Sequence, residues 1–101
     1  MGMANLQRMA MQMQQGITRV QEELAAAHVE GSAGGGVVRA VVNGKQEIVA
    51  VSVDPAAVDP ADVEMLQDLI VAAIAEAQRA ARQLGEEKMA AVTGGMRLPG
   101  M

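Results

Sequence analysis

The sequence predicts an α+β fold in which two long helices flank a β-hairpin. Three observations carry that prediction. An apolar stripe with coiled-coil spacing runs over the first quarter of the chain, Asn43-Gly44 sits between two valine-rich runs, and a second stripe of the same spacing follows Asp59-Pro60.

The first helix is expected from about Ala4 to His28. Met3, Leu6, Ala10, Met13, Ile17, Val20, Leu24 and Ala27 recur with 3-4-3-4-3-4-3 spacing, the a/d seam of a helix that packs along another. Asn5 is placed to cap its first turn. Arg8, Gln12, Gln15, Arg19 and Glu22 fall away from the seam, and Gly16 inside the pattern costs the helix about 1 kcal/mol relative to Ala. Met residues crowd the first 13 positions, where flexible thioethers suit a packing seam that adapts to its partner.

Glu30 to Gly36 is rich in turn formers and precedes the β-branched run Val37-Val38-Arg39-Ala40-Val41-Val42. Asn43-Gly44 and the run Lys45 to Val53 complete a hairpin, expected to turn on two residues in type I′ geometry and to pair Val42 with Lys45, Ala40 with Glu47 and Val38 with Val49. That register puts apolar groups on both faces near the open end, so both faces should be covered there. His28-Val29-Glu30 reads as the start of a third, short strand. Asp54-Pro55 ends the hairpin, because Pro cannot donate to a ladder. The second helix opens with Asp59 as N-cap and Pro60 at its first position. Its seam is Val63, Leu66, Ile70, Ala73, Ala77, Ala80 and Leu84, and it should stop at Thr93-Gly94-Gly95. At 1.5 Å per residue it spans roughly 48 Å, longer than a compact domain of this size is wide, so part of it must project.

Composition narrows the function. The 101 residues include no Cys, Phe, Tyr or Trp and one His, His28. Thiolate chemistry, Cys-based zinc sites and aromatic stacking of unpaired bases are excluded, and little remains for acid–base catalysis. No enzyme, cofactor or small-molecule substrate is expected. The acidic residues Asp54, Asp59, Asp62, Glu64 and Asp68 suggest a metal site less than they suggest helix capping, so no metal is expected. Gly34-Gly35-Gly36 leads into a strand with no Lys-Ser/Thr after it, and is a turn or close backbone approach rather than a phosphate loop. The amino terminus lacks the apolar centre of a signal peptide, and the longest apolar run, Leu69 to Ala75, has seven residues where a membrane span needs about 20. The expectation is a soluble, cytoplasmic protein without a membrane partner.

Charge is unevenly placed within the net −4: residues 1–21 carry Arg8 and Arg19 and no acid, residues 22–78 sum to −8, and residues 79–101 sum to +2. If the two helices pack antiparallel, Arg8 on one and Arg79, Arg82 and Lys88 on the other project together, away from an acidic base. Such a tip can meet phosphates. The competing reading is a solvated face whose Glu76–Arg79 and Arg82–Glu86 spacings form ordinary intrahelical pairs.

Several segments taken in order resemble the YbaB/EbfC family of bacterial nucleoid-associated proteins. They are Gly34-Gly35-Gly36-Val37-Val38, Val41-Val42-Asn43-Gly44, Val53-Asp54-Pro55, Met65-Leu66-x-Asp68-Leu69-Ile70, Lys88-Met89, Thr93-Gly94-Gly95-Met96 and Leu98-Pro99-Gly100. The resemblance covers nearly the whole chain and implies one domain over residues 1–101. It implies a helix–three-stranded antiparallel sheet–helix protomer that forms a homodimer through its sheet, with long helices projecting like tweezers to bind duplex DNA with limited sequence preference. The family's DNA-contacting helix ends fall on the Arg8 region and on Arg79 to Lys88, although this chain has fewer cations there and a Gln-rich first helix. Arg8, Arg19, Arg79, Arg82 and Lys88 are therefore the expected phosphate contacts, with Arg97 a further candidate. A nucleoid location follows, with DNA bending or bridging. The alternative is a non-catalytic adaptor in replication or recombination whose projecting helices grip a protein partner, with only secondary DNA association.

Overall fold

The computed structural model describes residues 2–94. Its order is helix α1 (Met3–Ala26), strand β1 (His28–Ala33), a 3-10 turn (Gly34–Gly36), strands β2 (Val38–Asn43) and β3 (Ile48–Val53), a second 3-10 turn (Pro55–Ala57) and helix α2 (Val63–Thr93). The strands form one antiparallel sheet in the order β1-β2-β3. The α+β class and the three-stranded sheet between two long helices are as expected. The motif positions Gly95, Met96, Arg97 and Leu98-Pro99-Gly100 lie outside the described residues.

The core is small because its side chains are small. Val38, Ala40 and Val42 on alternate positions of β2 are wholly buried against Ala73, Ala77 and Ala81, one stripe of α2. Short side chains let the helix lie close to the sheet, closest over Gly31 of β1. A Cβ there would stand 2.6 Å from the Ala73 carbonyl and would collide with the Ala77 backbone nitrogen. This approach explains why Glu30 to Ala33, rich in turn formers, is a strand: Gly31 is the residue without a side chain that α2 requires beneath it. The turn proper is confined to Gly34, Gly35 and Gly36, all at positive φ.

Several expectations are corrected. The first helix is capped by Gly2 without a side-chain bond, so Asn5 is not its cap. The N-cap of α2 is Asp62, whose carboxylate accepts from the Met65 amide at 3.2 Å, while Asp59 closes the preceding turn by accepting from the Ala61 amide. The α2 seam turns to the sheet rather than running along α1 as a coiled coil. Its buried stripe steps by four, with Ala81 in place of Ala80, and Val63 is exposed. A straight helix of 3.6 residues per turn drifts off a heptad seam, and a sheet does not supercoil to follow it.

The hairpin register also differs. Val42 pairs with Ile48, Ala40 with Val51 and Val38 with Val53, with an irregularity near Val41–Val42 that leaves Val49 as the extra residue. The expected pairing would have set Lys45 and Glu47 on the core face beside Val42 and Ala40, whereas the observed one sets Ile48 and Val51 there. The turn is a three-residue loop, Gly44 to Gln46, closed by the Asn43 amide donating to the Glu47 carbonyl at 2.9 Å, and it is Gln46 that takes positive φ. Gly44 serves close approach instead: it is buried, its amide donates to the Leu24 carbonyl at 2.7 Å, and a Cβ would meet that oxygen at 2.6 Å.

Among the described residues one face of the sheet is covered, and only in part, because α2 lies over β1 and β2. Ile48 and Val51 point to the same face as the core yet remain 54% and 40% exposed. The helices then leave the sheet. Gly16 of α1 lies against Val92, and Leu24 lies near Gly85, so the two chains run antiparallel beyond it. The molecule measures 71 × 28 × 16 Å with a radius of gyration of 19.4 Å, well above the ~13 Å of a compact chain of this length.

Candidate nucleic-acid interface

The projecting hairpin is held by few contacts. Val20 and Leu24 are the buried residues of α1, with Met13, Gly16 and Ile17 half-buried ahead of them. Toward its amino end the α1 seam is not covered by the described residues, and Met3 and Leu6 are 73% and 61% exposed.

Beside the seam, Arg8, Gln12, Gln15 and Arg19 recur at 4-3-4 spacing and therefore share one edge of α1, about 16 Å long. All four are exposed. That edge overlooks a shallow groove between the helices, lined by Gln12, Gly16, Arg19, Val20 and Glu23 of α1 and by Lys88, Ala91 and Val92 of α2. Lys88 Nζ reaches across to Glu23 Oε2 at 3.0 Å. The groove thus joins Arg19 and Lys88, from opposite ends of the sequence, and an acid, Glu23, that is paired with Lys88. Arg8 stands on the same edge, further toward the tip.

Arg79 and Arg82 are placed elsewhere. Ala81, between them, belongs to the sheet core, and Gln78 Nε2 donates to the Gln46 carbonyl of the β2–β3 turn at 3.2 Å. Both arginines are exposed, but they stand at the root of the hairpin, about 9 to 14 Å along α2 from Lys88. The expected meeting of these two with Arg8 at one tip does not occur, because the alanine stripe commits the first 19 residues of α2 to the sheet. Neither forms the intrahelical pair its spacing suggested: among the described residues the ion pairs are Lys88–Glu23 and Arg39–Glu30.

The acids of the middle segment act locally. The carboxylates of Asp54, Asp59 and Asp62 each accept a backbone amide two or three residues on. His28 is the exposed first residue of β1. No described helix is long and apolar enough to cross a membrane.

The profile of the YbaB/EbfC DNA-binding family matches residues 1–96. The chain belongs to that family. A nucleoid-associated protein of Moorella thermoacetica is 53% identical over 103 aligned positions, covering 99% of each chain. Another, from Chloroflexus aurantiacus, is 50% identical over 97 positions, covering 96% of this chain and 97% of that protein. The crystal structure of an uncharacterized Helicobacter pylori protein superposes with a TM-score of 0.67 at 21% identity, over 95% of this chain and 97% of that one, a likeness of fold.

Within this YbaB/EbfC chain, the sequence pattern missed Glu23. Its signal was available: it directly precedes the seam residue Leu24, the flanking position from which a long side chain crosses to a neighbouring helix. Gln12 and Gln15 read as a solvated face, and the fold sets them on the arginine edge above the groove.

Proposed function

We propose that this YbaB/EbfC protein binds duplex DNA as a homodimer, without catalysis, and organises the nucleoid by bending or bridging. The observation that carries the reading is the α1 edge Arg8–Gln12–Gln15–Arg19, in a stretch with no acid over residues 1–21, whose Gln12 and Arg19 line the groove together with Lys88. Guanidinium and ammonium groups neutralise phosphates, and glutamine amides bond phosphate or sugar oxygens, fixing position without reading bases. Limited sequence preference follows from that chemistry. Arg79 and Arg82 supply a second, separate contact at the root of the arm. The names of the relatives support the nucleoid assignment and a cytoplasmic location.

The sheet supports the dimer. β3 is an edge strand, and Ile48 and Val51 are left open on the core face. An uncovered apolar edge of this kind is the surface a second copy would cover. Two protomers joined there carry two arms.

The test is a mobility shift with a short duplex at about 50 mM salt, repeated near 200 mM, with the solution mass measured in parallel. Arg8→Glu/Arg19→Glu should abolish retardation while the mass stays that of a dimer; unchanged binding refutes the assignment. The rival reading, an interaction adaptor in replication or recombination, is favoured by the exposed Met3, Leu6, Met9 and Met11 of α1. A folded dimer that fails to bind duplex at about 50 mM salt would favour that reading instead.

A further inference from the structure

We propose that Glu23 is a built-in counter-ion for Lys88 that a DNA phosphate must displace, so that this carboxylate sets the strength and the salt dependence of duplex binding. The inference rests on the DNA reading above and assigns a regulator to the same groove.

Three observations support it. First, Lys88 Nζ and Glu23 Oε2 are 3.0 Å apart and their side chains are 36% and 47% exposed. Ion pairs this open to water add little stability and exchange readily. Second, the arm has other means of holding together: Val20 and Leu24 are buried against α2, and Gly16 closes on Val92. The pair is therefore not required to keep the helices in contact. Third, Glu23 is one turn beyond Arg19 on α1 and lines the same groove as Arg19 and Lys88, so a negative charge stands among the cations there. A phosphate that takes Lys88 must compete with that charge.

The exchange is a simple replacement. A phosphate oxygen accepts the Lys88 N–H that Glu23 accepted, and the Glu23 carboxylate returns to water still ionised. No proton or covalent bond is transferred. The intact protein consequently makes fewer effective phosphate contacts than its cations would allow, and the carboxylate left beside the duplex weakens what remains.

The experiment titrates a fluorescently labelled duplex with the full chain from 50 to 300 mM salt, measuring anisotropy. Wild type is compared with Glu23→Gln, Lys88→Met, the double variant and Glu22→Gln, which removes a neighbouring acid that Lys88 does not contact. One additional phosphate contact steepens the salt slope by about 0.9, equivalent to about eightfold in affinity at 0.1 M salt. Glu23→Gln should gain about that much, Glu22→Gln clearly less, and the gain should disappear in the Lys88→Met background. A purely structural latch predicts the opposite sign, with Glu23→Gln lowering the melting temperature and weakening binding. That result overturns the proposal, as does a gain that persists without Lys88. A wild-type dimer that binds no duplex overturns the DNA reading and this inference together. Wild-type binding with no gain in Glu23→Gln removes this inference alone.

Discussion

Asn43 and Glu47 are joined by three hydrogen bonds: main-chain amide to carbonyl at 2.9 Å, the Glu47 amide to Asn43 Oδ1 at 3.0 Å, and Asn43 Nδ2 to Glu47 Oε1 at 2.7 Å. Together they close the β2–β3 loop around Gly44, Lys45 and Gln46. The Lys45 amide adds a further bond to Asn43 Oδ1 at 2.9 Å. One asparagine side chain thus serves both ends of the loop, and the backbone bends where those bonds hold it.

That closure leaves Gln46 at φ +68°, a region that costs a residue with a Cβ about 1 kcal/mol. Gln46→Gly should therefore stabilise the protein by about 0.5–1 kcal/mol, read as a higher urea midpoint with an unchanged slope. The Gln46 carbonyl still accepts from Gln78, so the tie between turn and helix is kept. Asn43→Ala should lose about 1–2 kcal/mol, because two backbone amides and a carboxylate lose their partner.

The hairpin shows what a sequence does and does not carry. Asn43-Gly44 between valine runs located the turn correctly, because few dipeptides permit a reversal there. The register did not follow from the turn: Val49 is an extra residue that the dipeptide does not signal, and the burial of Gly44 against Leu24 depends on where α1 ends. The start of α2 was ambiguous in a similar way: Asp59 and Asp62 each suit an N-cap, and geometry gives one to a short turn and the other to the helix. In the candidate site, the α1 cations could be placed on one edge by periodicity alone. The commitment of Arg79 and Arg82 to the root could not, because it follows from which stripe of α2 the sheet buries.

Gly31 offers a sharp test of that burial. A Cβ would meet the Ala77 amide nitrogen, the Ala73 carbonyl and the Ala77 Cα, all main-chain atoms of a helix that cannot yield singly. Gly31→Val should force α2 off the sheet and cost about 3 kcal/mol, at the upper end for overpacking. Gly16→Ala is the contrast. Its Cβ would stand 2.9 Å from Val92 Cγ1, the movable end of a side chain, and the helix gains about 1 kcal/mol of propensity. That variant should be neutral or slightly stabilising in a thermal melt.

The two arginine positions should separate in DNA titrations. Arg8 and Arg19 share an edge with the groove, whereas Arg79 and Arg82 stand behind it. At 0.1 M salt each lost phosphate contact costs about eightfold. Arg79→Glu/Arg82→Glu should weaken binding and flatten the salt slope, yet leave measurable retardation at 50 mM. Arg8→Glu/Arg19→Glu should leave none. Equal losses from the two pairs would mean that the duplex lies along the whole arm.

The sheet edge makes the last prediction. Ile48 and Val51 share a face with Val42 and Ala40, but α2 does not reach across to them, so half of a core is built and left open. Val71 lies seven residues before Gln78, on the flank of α2 that meets the β2–β3 turn, and it is 66% exposed. Ile48, Val51 and Val71 are thus apolar side chains left open to water. A charge introduced there meets water in a monomer and an apolar partner in a dimer. Val51→Lys should therefore keep helical circular dichroism near that of wild type while halving the mass measured in solution. Duplex retardation should fall with it, because two weak arms bind together far more tightly than one. A Val51→Lys protein that remains a dimer with unchanged retardation would place the subunit contact on another surface.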